Sequence, residues 1–249
     1  MNEKTENPDL DRRKFLGKAL TTGAAATVAS GVVLVNVADA KAPEAEASSE
    51  VRWGMLVDTA KCTDCGDCVT ACNDEHGLNP AEGESEKPLT DSKWIRMVKI
   101  EHKSTGKVTS LPMMCQHCEN PPCVDVCPTG ASFKRPDNIV LVDKHICIGC
   151  RYCMMACPYK ARSFVHEAIE NQVAEAPRGK GTVESCTMCM HLVDDDKNPA
   201  CVDACKEKAL TFGNIKDKAS DISIALKNSE SRAIREDLGL NPGVRYKGI

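Results

Sequence analysis

Cysteines are the residues in this sequence whose type and spacing could do chemistry. The 249 residues contain 16 cysteines, which form four groups of four with none left over. The groups are, in chain order, Cys62, Cys65, Cys68 and Cys72; Cys115, Cys118, Cys123 and Cys127; Cys147, Cys150, Cys153 and Cys157; and Cys186, Cys189, Cys201 and Cys205. Thiolates at such short spacings are the ligands of iron–sulfur clusters. The sequence therefore predicts metal centres in which all the cysteines are ligands.

The third group follows the bacterial run C-x2-C-x2-C-x3-C-P without deviation, ending in Cys157 and Pro158. Three thiolates on one tight loop can hold three corners of a cubane. The fourth cysteine starts the next helix and ligates the other cluster of a pair. The proline lacks an N–H and fixes φ, which suits a chain that leaves the cluster. This spacing predicts [4Fe–4S] clusters in pairs that exchange their fourth cysteines.

That exchange predicts how the groups pair. The second and third groups are neighbours that both end in Cys-Pro, so they form the inner pair, and the other two groups pair by elimination. The predicted ligand sets are cluster A, Cys62, Cys65, Cys68 and Cys205; cluster B, Cys186, Cys189, Cys201 and Cys72; cluster C, Cys115, Cys118, Cys123 and Cys157; and cluster D, Cys147, Cys150, Cys153 and Cys127. Since no cysteine is missing, four [4Fe–4S] clusters are the expected cofactors.

Zinc and disulfides are the competing interpretations of the cysteines. Zinc ribbons use two C-x2-C pairs per metal, and not a third cysteine at the same spacing. Four cysteines within residues 62–72, and again within 147–157, leave little freedom for unstrained disulfides. Broad visible absorption of the purified protein would exclude a structural zinc protein.

No catalytic motif accompanies the cysteines. The sequence has no Gly-rich phosphate loop, nucleophile elbow or H-E-x-x-H, and the acidic run 194–196 is interpreted as a solvated turn. His117 and His191 lie beside cysteines, but the cysteine sets are complete, so hydrogen bonding or exposure is expected of them. The chain is therefore expected to carry electrons without a catalytic site. A net charge of −4 without a long basic run gives no indication of nucleic-acid binding.

The elements that must position the cysteines form a repeat. Strand-like segments at 51–58 and 139–143 lead into the first and third groups. Segments 94–100 and 107–111 predict an inserted hairpin, and 82–91 predicts an exposed loop. After the last group, Ser220 is expected to cap a helix over 222–237, and 240–249 is expected to be extended against a neighbouring subunit. The predicted fold class is α+β: a duplicated bacterial ferredoxin-like fold, 2[4Fe–4S] twice, with an inserted β-hairpin and a C-terminal helix and tail.

The first forty residues have the pattern of an export signal. Arg12 and Arg13 precede Phe-Leu, an apolar stretch covers 19–37, and Ala-Asp-Ala at 38–40 is a small-x-small cleavage site. The pattern predicts a twin-arginine signal peptide at 1–40, a flexible leader at 41–50 and one domain at 51–249. A surface helix or an uncleaved membrane anchor are the alternatives. Twin-arginine export predicts a periplasmic protein whose clusters are inserted before transport.

The four groups, with a long spacer in the last, resemble the iron–sulfur subunits of the dimethyl sulfoxide reductase family. This resemblance covers nearly all of the chain after the signal peptide and implies clusters arranged as a single-file wire. CQHC at 115–118, PPCVDVCPTGASFK at 121–134 and CRYCMMACPYKARSF at 150–164 are similar to DsrO-type subunits of the membrane complex that accompanies dissimilatory sulfite reductase.

The DsrO-type resemblance implies two partners: an integral-membrane, quinone-interacting subunit of the NrfD type and a periplasmic multihaem cytochrome c. The wider family implies a molybdopterin catalytic subunit instead of the cytochrome. Tetrathionate, polysulfide and cytochrome c nitrite reductase systems contain subunits of this kind. A free-standing ferredoxin is a third interpretation, but the inserted hairpin and the long C-terminal region exceed what a shuttle needs.

Overall fold

The computed structural model describes residues 48–79, 92–169, 173–174 and 176–249, which include every cysteine. Its strands are β1 (Trp53–Asp58), β2 (Arg96–Glu101), β3 (Val108–Met113), β4 (Ser132–Lys134), β5 (Val140–Val142), β6 (Ser163–Phe164), β7 (Val183–Glu184), β8 (Leu210–Asn214), β9 (Ser231–Arg232) and β10 (Val244–Lys247). Its helices are α1 (Asp67–Glu75), α2 (Pro122–Asp125), α3 (Tyr152–Ala156), α4 (Met190–Val193), α5 (Ala200–Asp203) and α6 (Asp221–Lys227), with a 3-10 turn at Glu236–Leu238. The predicted signal peptide and the predicted loop 82–91 lie outside the described residues. None of the helices in the described ranges is long and apolar enough to cross a membrane.

A four-stranded sheet in the order β8-β1-β10-β9 forms the centre of the fold. Strand β1 runs antiparallel to β8 and parallel to β10, so that Met55 lies opposite both Phe212 and Val244. Residues 54–57 are all buried, which explains their continuous apolar character: a strand covered on both faces does not alternate. This sheet holds the start of the first cysteine loop against the end of the last.

The C-terminal segment corrects the prediction that 240–249 lies against a neighbouring subunit. It forms β10 inside the central sheet, and Val244 and Tyr246 are both 0% exposed. The Tyr246 hydroxyl donates a hydrogen bond to the Pro112 carbonyl at 3.0 Å. The tail is therefore part of the protein's own core.

The helix predicted over 222–237 is also wrong in length, because α6 ends at Lys227. Ser220 caps it as expected, accepting a hydrogen bond from the Ser223 N–H at 3.3 Å. Four residues beyond the helix, Ser231 begins β9, which pairs with β10. Residues that fit a helical pattern thus form a strand, because pairing with a buried neighbour is available to them.

Two-stranded ribbons and paired helices surround the central sheet. The inserted hairpin is present as β2 and β3, which pair from Arg96 with Met113 to Glu101 with Val108. Strand β4 pairs with β5, and β6 with β7. Helix α1 packs against α5 and α2 against α3. The helices of the first and last cysteine groups therefore meet, as do those of the two middle groups.

Candidate metal centres

Short helices fix the third and fourth cysteines of every group. The third cysteine lies within a helix, and the fourth follows four residues later, in the same helix or just beyond its end. These pairs are Cys68 and Cys72, Cys123 and Cys127, Cys153 and Cys157, and Cys201 and Cys205. Four residues of helix advance by about 6 Å. Each helix can therefore present two thiols to two different cavities.

Twelve of the cysteines line three cavities, four to each. The cavities contain Cys62, Cys65, Cys68 and Cys205; Cys115, Cys118, Cys123 and Cys157; and Cys127, Cys147, Cys150 and Cys153. In each cavity one cysteine comes from a different group than the other three. The remaining four, Cys72, Cys186, Cys189 and Cys201, are all buried, and Cys186 is close enough to the others for their charges to interact. The structure thus brings together the same four sets that the sequence analysis predicts.

The surroundings of the thiols fit cluster ligation. All the cysteines are free thiols, and no disulfide joins them. Backbone N–H groups donate to three of the sulfurs: Ser132 to Cys127 at 3.3 Å, Ala209 to Cys205 at 3.3 Å, and Met188 to Cys186 at 3.4 Å. Such donors stabilise negative charge on sulfur. Four convergent thiols with N–H donors behind them are the donor set that a [4Fe–4S] cluster requires.

Eight of the sixteen thiols are buried strongly enough to resist ionisation. Burial raises the pKa of Cys68 to about 11 and the pKa values of Cys115 and Cys118 to about 12. Without metal these side chains are protonated at neutral pH, so cluster binding must release their protons. Cys127 differs: burial raises its pKa, but hydrogen bonds from Ser132 and Thr129 outweigh burial, and the pKa is lowered.

The two histidines that lie beside cysteines in sequence are hydrogen-bonded to protein groups. His117 is 1% exposed and its Nδ1 accepts a hydrogen bond from the Val140 N–H at 3.0 Å. Burial and the nearby Arg162 charge lower the pKa of His117 to about 3. His191 Nε2 lies 2.7 Å from Glu75 Oε1.

His76 and Arg162 also contact cysteine sulfur, and neither contact was predicted from the sequence. His76 Nε2 lies 3.3 Å from Cys189 Sγ, and Arg162 Nη2 donates to Cys123 Sγ at 3.1 Å. Both side chains are buried. His76 comes four residues after Cys72, one helical turn further along, and that spacing was a usable signal. Arg162 had none, because Cys123 lies 39 residues earlier in the chain.

The four cysteine sets lie in series, and the two ends of the series reach the surface. Charge interactions link Cys68 with Cys201, Cys186 with Cys115, and Cys123 with Cys153. These interactions indicate that set A lies beside B, B beside C, and C beside D. Cys65 of set A and Cys150 of set D are exposed, and the other fourteen cysteines are buried or half-buried.

Comparison with known proteins supports [4Fe–4S] clusters as the groups that these cysteines bind. Residues 61–131 and 107–215 match the family described as the 4Fe-4S dicluster domain. The Hdr-like menaquinol oxidoreductase iron-sulfur subunit 1 of Archaeoglobus fulgidus is 42% identical over 95% of this chain and 97% of that protein. A tetrathionate reductase subunit of Salmonella typhimurium is 34% identical over 98% of this chain and 90% of that protein. The protein NrfC of Escherichia coli is 37% identical over 77% and 78%.

Proposed function

The chain belongs to the iron–sulfur electron-transfer subunits of oxidoreductase complexes, and from this premise we propose that it holds four [4Fe–4S] clusters and relays electrons between a membrane quinone-interacting subunit and a second redox partner. The observation that carries the proposal is the series of four cysteine sets, A to D, with exposed cysteines only at its two ends. The 4Fe-4S dicluster matches support the type of cluster.

In this function the protein's own residues hold, insulate and adjust the clusters. Each [4Fe–4S] cluster, when bound, accepts and releases one electron. The ligands are the sets A to D named above, with the fourth cysteines exchanged within each pair. Buried thiols at sets B and C keep water away from the middle of the series. Backbone N–H groups, His76 and Arg162 donate to ligand sulfurs and thereby bias the reduction potentials.

The two exposed ends have different surfaces, and we assign them to different kinds of partner. Around set D, Ile148 is 67% exposed and Met155 71%. Around set A the surface is charged, with ion pairs from Lys99 to Asp64 at 2.8 Å and from Lys206 to Asp67 at 3.1 Å. Permanent interfaces are more apolar than transient ones. The apolar end therefore fits the membrane subunit, and the charged end fits a partner that associates and leaves.

The specific complex is part of the proposal. A menaquinol oxidoreductase subunit among the relatives supports a quinone-linked complex. The DsrO-type resemblance of the sequence adds to this proposal an NrfD-type membrane subunit, a multihaem cytochrome c and a periplasmic location after twin-arginine export. A tetrathionate reductase subunit among them supports the alternative, in which set A faces a molybdopterin catalytic subunit. The higher identity to the first, 42% against 34%, favours the quinone-linked complex.

Anaerobic purification of the protein from native membranes in mild detergent tests the function. Iron, covalent haem, molybdenum and tungsten are measured in whatever co-purifies. Covalent haem without molybdenum is the expected result and supports the quinone-linked complex. Molybdenum or tungsten with a large subunit would instead make this chain the electron-transfer arm of a reductase. A colourless protein without iron would contradict both.

Exchange of the fourth cysteines has its own test. Cys157→Ser is expected to remove or convert the cluster of set C while the cluster of set D persists, because Cys157 lines the cavity with Cys115 and not the one with Cys147. Cys127→Ser, the reciprocal control, should damage set D. Iron content and electron paramagnetic resonance (EPR) of the reduced proteins report the result. Loss of set D alone from Cys157→Ser would refute the exchange.

A further inference from the structure

Arg162 lies between cysteine sets C and D. Its side chain is buried, with 5% exposure. Its Nη2 donates to the Sγ of Cys123, a member of set C, at 3.1 Å. Cys123 packs in the same buried cluster as Cys153, a member of set D, and the charges of Arg162 and Cys153 interact. One guanidinium therefore contacts a ligand of set C and lies near a ligand of set D.

The Arg162 charge has no carboxylate partner within the described residues. Another buried arginine, Arg178, forms an ion pair with Glu184 at 2.9 Å. No described acidic side chain lies at ion-pair distance from Arg162, and its Nε and Nη1 make no hydrogen bond there. A buried charge without a counter-charge is strongly unfavourable. The negative charge that this site offers is that of the surrounding thiolates with their clusters.

We infer that Arg162 raises the reduction potentials of the clusters at sets C and D by placing one fixed positive charge between them. The inference rests on the proposed four-cluster function. Reduction brings one electron from a neighbouring cluster and makes the cluster with its thiolates more negative by one charge. A positive charge nearby stabilises that reduced form more than the oxidised one, and burial strengthens the interaction.

Arg162 balances the arriving charge without a proton. A guanidinium stays protonated throughout the physiological pH range, so it neither gives up nor takes up a proton when a cluster is reduced. Because that charge contacts Cys123 and lies near Cys153, the clusters at sets C and D are stabilised together. The difference in reduction potential between the clusters at C and D is thereby kept small. The clusters at A and B, which Arg162 does not contact, keep their potentials.

Redox titration of the purified holoprotein, followed by EPR, tests this inference. Arg162→Gln is expected to lower the reduction equilibrium constants of the clusters at C and D at least tenfold, about 59 mV for a one-electron couple. The reduction potentials of the clusters at A and B should not change. Arg162→Lys keeps the charge and should restore most of the shift. The matched control is Arg96→Gln, because Arg96 donates to the Tyr159 carbonyl and not to sulfur; it should leave all four potentials unchanged.

Unchanged potentials in an Arg162→Gln protein with its full iron content would overturn the inference, as would equal shifts at all four clusters. If this variant fails to assemble the clusters at sets C and D, the inference is tested on the unaltered protein instead. With arginine labelled with 15N in the guanidinium, pulsed EPR should detect 15N coupling to the reduced cluster at set C or set D. Absence of that coupling would also overturn the inference. Fewer than four clusters in the unaltered protein would instead contradict the proposed function.

Discussion

At the scale of single residues, His76 is a buried side chain that contacts the sulfur of one cysteine set, set B. His76 is 1% exposed, and its ring centroid lies 4.5 Å from that of Trp94. Burial lowers the pKa of His76 to about 3, so the imidazole is neutral at neutral pH. Its contact with Cys189 Sγ is therefore a hydrogen bond from a neutral ring, weaker than the charged contact of Arg162.

Replacement of His76 by phenylalanine should lower the potential of the cluster at set B. Phenylalanine keeps the aromatic packing on Trp94 but removes the ring nitrogen Nε2 that faces Cys189 Sγ. A neutral hydrogen bond contributes roughly 0.5–1 kcal/mol, which corresponds to roughly 20–40 mV for one electron. Redox titration by EPR measures the shift. His191→Phe is the control, since His191 contacts Glu75. A shift of equal size in that control would refute the assignment to the sulfur contact.

In the set D loop, Gly149 is required both by its backbone conformation and by the atoms packed against it. Gly149 has a φ of 68°, and a Cβ there would overlap the carbonyl oxygen of Gly181. Gly66, in the set A loop, has a φ of 80° but open space around it. Both substitutions with alanine carry the cost of a left-handed conformation, about 1–2 kcal/mol. Only Gly149→Ala also requires the backbone at the Gly181 carbonyl to move.

We therefore expect Gly149→Ala to lose the cluster at set D and Gly66→Ala to retain the cluster at set A. Iron per chain and the EPR signals of the reduced protein measure both outcomes under identical anaerobic preparation. Full cluster content in both variants would show that the Gly181 carbonyl moves without harm. Loss in both would show that backbone strain alone decides.

The residues that could be predicted from sequence are those whose role depends on local spacing. The cysteine groups are recognisable because each begins with two cysteines separated by two residues, a spacing found in cluster-binding loops. The matched dicluster domains confirm the iron–sulfur prediction. Arg162 reaches Cys123 only through the folded chain, and no local pattern marks it. His76 is intermediate, since its helical spacing from Cys72 was visible but its approach to Cys189, 113 residues away, was not.

At the scale of elements, the last strand holds the fold together. Tyr246 on β10 is fully buried, donates to the Pro112 carbonyl and accepts from Gln116 Nε2 at 3.2 Å. Gln116 lies between two ligands of set C. The C-terminal strand thereby connects the central sheet to a cluster loop.

Tyr246→Ala should destabilise the protein by about 3–5 kcal/mol, the usual cost of emptying a large buried aromatic site. Tyr246→Phe keeps the ring and loses only the hydroxyl contacts, so about 1–2 kcal/mol is expected. Anaerobic thermal unfolding followed by circular dichroism compares the two with the unaltered protein. If alanine costs no more than phenylalanine, packing of β10 is not what stabilises the sheet.

Elements were predictable where they pair locally and unpredictable where they pair across the chain. The hairpin of β2 and β3 follows from a turn at 102–107 between neighbouring segments. Strand β10 pairs with β1, and the Lys247 contact to Asp58 spans 189 residues. That pairing decides the end of α6, the formation of β9 and the position of the tail. A local helical pattern carries no information about it.

At the scale of the whole molecule, the two ends of the series differ in what they offer a partner. The set D end exposes Ile148, Tyr152 and Met155 around Cys150. The set A end exposes Lys99 and Lys206 near Cys65. Apolar contact favours long residence, whereas charges speed encounter and weaken with salt. A wire with one fixed and one exchanging partner needs this asymmetry.

The double variant Ile148→Glu with Met155→Glu should weaken binding to the membrane subunit roughly 10–30-fold, the effect of losing interface anchors of about 2 kcal/mol. Its cluster content should be unchanged, because both side chains point to solvent. Retention of the protein on native membranes after detergent washing, against iron per chain, measures the effect.

The matched control reverses the charges at the other end, with Lys99→Glu and Lys206→Glu. These changes should leave membrane retention intact and reduce the salt dependence of electron exchange with the soluble partner, since exposed charges act mainly on encounter. If the lysine variants are released from the membrane while the Ile148 and Met155 variant is retained, the protein is oriented the other way. Electrons would then pass between the membrane subunit and set A, and the exposed apolar side chains around set D would contact the second partner.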